Sequence, residues 1–363
     1  MKYEYWFAGI RNIPDRTKIK LKEKAGTAEA IYYIEETALR KMQLLKEQEI
    51  WKLLEAKKKE ELDRNYEAMR QKGISVIPWG EKEYPGRLKE IYDPPYALYV
   101  KGKLPDNTAR AAAIVGARSC TPYGEKYALE YGKKLAECGI QVISGLARGV
   151  DGIGQRGALL GGGKTFAVLG SGVDVCYPKN HMGLYLDILE QEGGILSELP
   201  PGTPPLPQHF PRRNRIISAL SDIVLVMEAR ERSGSLITAD LALDYGREVY
   251  AVPGNVTSAL SYGTNALIKQ GCPIITEGSD ILSALGIAYK ETEKVKFQIK
   301  TAENISPEEK EIFDLIEDST PISAEALCRR LGRKVQEVQY ILSLLELSGY
   351  IEKIPQAGYI RAH

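Results

Sequence analysis

The chain has 363 residues, 44% of them hydrophobic, which is enough for two or three domains with real cores, and its formal net charge is only +1. No apolar run approaches the roughly 20 residues needed to cross a bilayer, and no signal-peptide pattern follows Met1, so a cytoplasmic protein without a membrane partner is expected. The five cysteines (Cys120, Cys138, Cys176, Cys272, Cys328) show no CxxC spacing and the only histidines are His181, His209 and His363, which speaks against disulfide and zinc frameworks; no cofactor or metal is expected.

Charge is spread without a basic segment large enough to act as a general nucleic-acid sponge. Residues 1–105 carry 22 basic and 17 acidic side chains, residues 106–290 carry 17 and 18, and residues 291–363 carry 10 and 13. A site for a polyanion must therefore be a local concentration.

In chain order, residues 1–73 read as a helical domain, with the charged stretch KEQEIWKLLEAKKKEELDRNYEAM as a solvated helix supported by i,i+4 pairs. Residues 74–105, rich in Pro and Tyr (IPWGEKEYPGRL, YDPPYALYVKG), read as an extended connection packing on the next domain. From 106 to 288 short apolar runs (AAAIVG, IQVISG, TFAVLG, GILSEL, DIVLVM, EVYAVPG, CPIIT) alternate with amphipathic helical stretches. Runs without polar alternation fit strands covered on both faces, so the fold class is α/β, a doubly wound parallel sheet of extended Rossmann-like type. Residues 289–304, within KETEKVKFQIKTAENIS, read as a linker. Residues 305–363, with three helix patterns and a short two-stranded ending, follow the winged-helix order.

Two motifs are decoys. GGGKT (Gly161–Thr165) has Ala158 where a P-loop needs its first glycine, and Lys164 precedes a strand instead of opening a helix. GSG (Gly170–Gly172) lacks the third glycine of a dinucleotide fingerprint. What remains is a set of phosphate-friendly parts at strand ends. Arg118 follows one strand-ending glycine, Ser144 and Gly145 end another strand with Arg148 nearby, and Ser233, Gly234 and Ser235 open a helix. The densest cationic cluster is HFPRRNRIIS, where Arg212, Arg213 and Arg215 follow Phe210. Guanidinium forks beside an aromatic suit an unpaired nucleic-acid strand. Arg213 and Arg215 are expected to face the glycine loops, with Asn214 tying the loop down. An ion pair of one arginine with Glu198 is the structural alternative.

The stretches AIVGARSCTPYG, VISGLARGVD, AVLGSGVDVCYP, ILSELPPG, FPRRNRIISALSD, SGSLITA, VPGN and YGTNALIKQG occur in the order and spacing of the DprA/Smf family, which this chain resembles densely over residues 80–285. The resemblance implies a sterile-alpha-motif-like N-terminal domain, binding of single-stranded DNA, loading of the recombinase RecA during natural transformation, homodimers and no enzymatic activity. Carried over by position, the pocket falls on Arg118, Ser144, Gly145, Lys164, Gly170, Phe210, Arg213, Asn214 and Arg215. Gln155 stands where the family usually has a histidine, and Gly271–Cys272 replace a common GA. A dimer patch is expected at Ile268, Cys272 and Ile274, on the last helix and strand of the sheet domain, where an edge needs cover. The competing class is a nucleotide-binding or phosphoribohydrolase-like enzyme on a similar sheet. RSGSLITAD lacks that signature's paired glycines and glutamate, and only Asp240 offers a substitute. A duplex-reading transcription factor is a third reading, disfavoured by the acidic winged-helix segment with Glu337 and Glu346 beside Lys334.

Overall fold

The computed structural model describes residues 1–57, 59–287, 306–317, 320–348, 350–354 and 358–361. The chain divides into two compact units, Met1–Ala288 and Tyr289–His363. The stretch expected to be a linker, 289–304, lies outside the described residues.

The larger unit is built on an eight-stranded sheet: β1 (Ile74–Pro78), β2 (Ala97–Gly102), β3 (Ala111–Val115), β4 (Gln141–Ser144), β5 (Thr165–Val168), β6 (Gly194–Ser197), β7 (Ile223–Val226) and β8 (Glu248–Ala251). Their spatial order is β1-β2-β6-β5-β4-β3-β7-β8. The six strands from β6 across to β8 are parallel, while β2 runs antiparallel to both β1 and β6. The expected parallel sheet is present, and the connection 74–105 contributes two further strands to it. The seventh apolar run, CPIIT, does not form a strand. It makes a single parallel bridge, Ile274 to Ala251, because Pro273 supplies a carbonyl but no donor to the ladder.

Both faces of the parallel strands β3 to β7 are buried, as their apolar runs demand, whereas the edge strand β8 leaves Glu248 exposed and Tyr250 half-buried. Along β3, Ala111, Ala113 and Val115 join the core beneath the helices His209–Leu220, Gly234–Asp244 and Tyr262–Lys269, whereas Ala112 and Ile114 join the core beneath Pro122–Glu137 and Val150–Leu160. Between β3 and β7 the winding reverses direction. At such a switch point the connections leave to opposite faces and open a crevice beyond the carboxyl ends of the strands.

The N-terminal helices are continuous with this unit. Phe7, Ile31, Leu39, Ile50 and Leu53 share one core with Tyr96 and Tyr99 of the β2 region and with Ala167, Leu169 and Ile195 of the sheet. The charged stretch forms two helices, Glu47–Glu55 and Lys59–Gln71, the first burying Ile50 and Leu53. In the smaller unit, the helices Pro307–Phe313, Ala324–Leu331 and Val335–Leu347 pack Ile312, Leu327, Val338 and Leu342 against Ile351 of a hairpin formed by Ile351–Ile354 and Gly358–Arg361.

Lys18 is buried on the helix Asp15–Ala25, where its Nζ donates to the Ala8 carbonyl at 2.9 Å. Burial pulls its pKa down to about 8, with Asp15 opposing the shift. Below pH 8 the fold therefore carries the full cost of a buried ammonium. As pH rises from about 8 toward the unfolded value of 10.5, the buried amine releases its proton before the unfolded one does, and stability increases. Thermal unfolding between pH 7.5 and 9.5 should show this rise in the wild type and a flatter profile in Lys18→Met; parallel profiles would remove Lys18 as its source.

Candidate nucleic-acid interface

A cleft of about 450 Å³ opens at the switch point between β3 and β7. Its walls come from the loop after β3 (Gly116, Ala117, Arg118), the loop after β4 (Ala147), the first turn of Val150–Leu160 (Asp151), Tyr177, the first turns of His209–Leu220, and the start of Gly234–Asp244 with its cap Ser233.

The arginine helix divides its side chains by helical period. Phe210, Arg213, Asn214 and Ile217 stand at i, i+3, i+4 and i+7 and all line the cleft. Arg213 is buried. One of its terminal nitrogens donates to the Gly145 carbonyl at 2.9 Å and also to the Val168 carbonyl, so it joins the loop after β4 to the end of β5. Burial lowers its pKa to about 10, and the nearby Asp151 carboxylate works against that shift. Asp151 is itself pushed up by burial, offset by Arg213 and by the Gly145 amide that donates to it at 3.1 Å. Asn214 donates to the Gly234 carbonyl at 3.2 Å and accepts from Arg213 Nε at 3.3 Å, tying the two cleft helices together.

Phe210 presents a half-buried ring near two cations. The Arg118 guanidinium lies 5.4 Å and that of Arg213 6.0 Å from its centroid, and Tyr177 packs beside it at 5.7 Å with a 43° tilt. Gly170 allows the approach, since a Cβ there would stand 2.9 Å from the ring. Arg118 is exposed and, among the described residues, has no ion pair. Arg148, Arg230 and Arg232, in the loops after β4 and β7, are exposed on the same sheet edge. On the opposite wall, Ser233 caps Gly234–Asp244 by accepting from the Ser235 amide at 3.3 Å, and the two serine hydroxyls share a hydrogen bond of 2.6 Å.

Five of the expected pocket residues stand elsewhere or are occupied. Arg215 is buried on the far side of its helix, in ion pairs with Glu198 at 2.5 Å and Asp93 at 3.4 Å. Arg212 joins the same cluster through Asp15 at 2.8 Å and Glu198 at 3.0 Å. The spacing of three residues puts 212 and 215 on one face, and Phe210 and Arg213 on another. Lys164 precedes β5, at the amino edge of the sheet, and pairs with Glu192 at 3.6 Å. Ser144 turns into the core, donating to the Ile114 carbonyl at 2.6 Å, and both backbone groups of Gly145 are engaged by Asp151 and Arg213. Of the cleft residues that the sequence reading leaves out, Tyr177 and Asp151 carry the most chemistry. The signal for Tyr177 was an aromatic closing a glycine-bearing loop, and for Asp151 a carboxylate opening the helix after SGLARG. Asp240, the residue that would serve an enzyme, is exposed on Gly234–Asp244 and is not part of the cleft lining.

Residues 75–286 match the family model described as DNA recombination-mediator protein A, and residues 300–356 match the DprA winged helix domain. The chain belongs to the DprA family. It is 39% identical over 297 residues to Protein Smf of Escherichia coli, covering 81% of this chain and 79% of that protein, and 44% identical over 200 residues to the DNA processing protein DprA of Streptococcus pneumoniae, covering 55% and 70%. The structure of the Streptococcus pneumoniae DprA superimposes with a TM-score of 0.67 at 32% identity, covering 78% of this chain and 97% of that one. The DNA processing protein A of Helicobacter pylori, solved to explain its single-stranded DNA binding mode, gives 0.53 at 31%, covering 60% and 97%. Membership in the DprA family agrees with the α/β sheet unit and the winged-helix unit seen here.

The two arginine faces predict different phenotypes. Arg215→Ala should lower stability by about 3 kcal/mol, because it leaves Glu198 buried with less compensating charge. Arg118→Ala should leave the melting temperature unchanged, since its side chain supports no core. Thermal melts of both variants check this, and a stable Arg215→Ala protein would contradict it.

Proposed function

We propose that the cleft binds single-stranded DNA, with phosphates drawn to Arg118 and to the exposed arginines of the carboxyl edge and one base stacked against Phe210. The observation that carries this reading is the half-buried Phe210 ring in the lining of a cleft at the sheet's switch point, with the exposed Arg118 guanidinium 5.4 Å from its centroid. The Helicobacter pylori relative, studied for its single-stranded DNA binding mode, supports it. Stacking on an aromatic is tolerant of sequence because every base has a π-face, and guanidiniums read phosphate in any sequence context. Arg213 contributes charge and shape, and its hydrogen bonds to the two strand-end carbonyls fix the floor. The groups lining the cleft hold an anion and a ring without converting them, so the role is binding and not catalysis. In the cell, the cytoplasm is the expected setting, and the bound strand is handed to RecA, for which the family's name as a recombination mediator is the support.

Titration with single-stranded and duplex oligonucleotides across salt concentrations tests the reading. Single strands should bind more tightly, with log affinity falling by roughly 0.7 per contacted phosphate per log unit of salt. Phe210→Ala should cost about 1–3 kcal/mol without changing that slope, whereas Arg118→Ala should cost about 1–3 kcal/mol and make the slope shallower by one contact. Duplex binding equal to or tighter than single-strand binding would refute the proposal. Stimulation of RecA's DNA-dependent ATPase by wild type but not by Phe210→Ala would extend it to loading.

The homodimer is proposed on the β8 side of the sheet. There Ile274 is 46% exposed, beside Ile268 and Cys272, which are partly buried against the sheet core. Because the latter two also fill the monomer, Ile274 is the side chain to change. Light scattering on Ile274→Glu should report monomers, and a folded dimeric variant would place the interface elsewhere.

A further inference from the structure

A second cavity, of about 650 Å³, lies on the same edge of the sheet at the carboxyl ends of β7 and β8, lined by Thr121, Tyr123, Glu228, Pro253, Asn255 and Ser258 among others. The two cavities are joined by two loops that line both. The segment after β3 contributes Gly116–Arg118 to the first cleft and Thr121 to the second. The segment after β7 contributes Glu228 to the second and Ser233–Ser235 to the first, and between these points it carries the exposed Arg230, Glu231 and Arg232, two cations to one carboxylate. The backbone of this rim is held: Ala229 donates to the Leu260 carbonyl at 2.7 Å, and the Arg230 carbonyl lies against Gly263, where a Cβ would stand 2.7 Å from it.

The lining has an aromatic platform. Tyr123 is 41% exposed; its ring packs on Tyr127 at 4.7 Å and its hydroxyl donates to the Pro253 carbonyl at 2.8 Å, so it is held in place while part of it faces solvent. The one carboxylate in the lining, Glu228, is buried and is satisfied by the Thr121 amide at 2.8 Å and the Thr121 hydroxyl at 2.5 Å.

We infer that this cavity is a second nucleobase site on the same strand of unpaired DNA, with Arg230 and Arg232 meeting the phosphates between the two sites and Tyr123 stacking the further base. The inference rests on the single-stranded DNA reading of the first cleft. Its grounds are continuity through two shared loops, cationic side chains on the connecting path, and an aromatic platform at its end, which is the arrangement of grooves that track an unpaired strand.

Affinity is measured for an oligothymidylate series of increasing length, with wild type, Tyr123→Ala, Asn255→Asp and Phe210→Ala. Asn255→Asp is isosteric and keeps the local bonds that its side-chain oxygen accepts from the Thr257 amide at 2.9 Å and hydroxyl at 2.8 Å, but sets a negative charge in the second cavity. On the shortest oligonucleotide that binds, both second-site variants should match wild type. On longer ones wild type should gain affinity that the variants lack, by roughly 5- to 150-fold per stacked base. Loss that is equal at every length, or no loss at any length, overturns the second site. If Tyr123→Ala does not fold, Asn255→Asp decides alone. Phe210→Ala separates the two levels: wild-type affinity of that variant on the shortest oligonucleotides would remove the first cleft as the strand's site, whatever the second cavity does.

Discussion

The candidate site depends on one buried guanidinium. Arg213 enters from a helix on one side of the sheet and spends its hydrogen bonds on the carbonyls of Gly145 and Val168, where two parallel strands have just ended. A parallel sheet leaves such carbonyls pointing into its carboxyl-edge crevice, where they need donors. Satisfying them with an arginine fixes the helix start against the strand ends, and the ring of Phe210, one turn earlier, is thereby set at the cleft mouth. Asp151 completes the arrangement by balancing the buried charge, which is why it belongs to the site although it would repel a phosphate if it stood alone.

A second charge cluster lies behind the same helix. Asp15, Asp93 and Glu198 meet Arg212 and Arg215, joining the second N-terminal helix, the connection before β2 and the loop after β6. The N-terminal layer is thus fastened to the back of the element whose front faces the cleft, in addition to sharing an apolar core with β2 and its neighbours. Burial pushes the Glu198 carboxyl up, opposed by Arg215 and Arg212. Such a cluster adds little net stability against an apolar replacement of the same shape, but losing one member is costly.

How far the sequence was legible follows from these details. The parallel strands were plain because four to six apolar residues without alternation have few other uses between helical stretches. β1 and β2 were hidden because Pro78, Pro94 and Pro95 frame them and read as loop, yet at a sheet margin prolines next to strands are tolerated. CPIIT was overread, since an apolar composition does not reveal that Pro273 interrupts the ladder. Among the arginines, composition showed the cluster but not its two faces. The helical period separates Arg213 from Arg212 and Arg215, and Glu198 is nameable as a partner for one arginine, but which arginine it takes and the part of Asp15 depend on residues remote in sequence. Lys164 was placed by family position, and its location on the amino edge was available from the strand it precedes. Ser144 and Gly145 stand at the right strand end, but their polar groups are consumed by the protein itself, which spacing does not show.

The two arginine clusters also stand in different dielectric surroundings. Mobile ions reach the exposed Arg118 and the cationic rim and shorten the range of their fields to about 8 Å at physiological ionic strength. They do not penetrate to Arg215 and Glu198, whose side chains are each only 6% exposed. Ionic strength therefore acts as a selective reagent on this molecule. It weakens any attraction for a polyanion at the cleft while the fastening of the N-terminal layer behind it keeps its strength, so under the proposed role concentrated salt would release a strand from a protein whose architecture is unaltered.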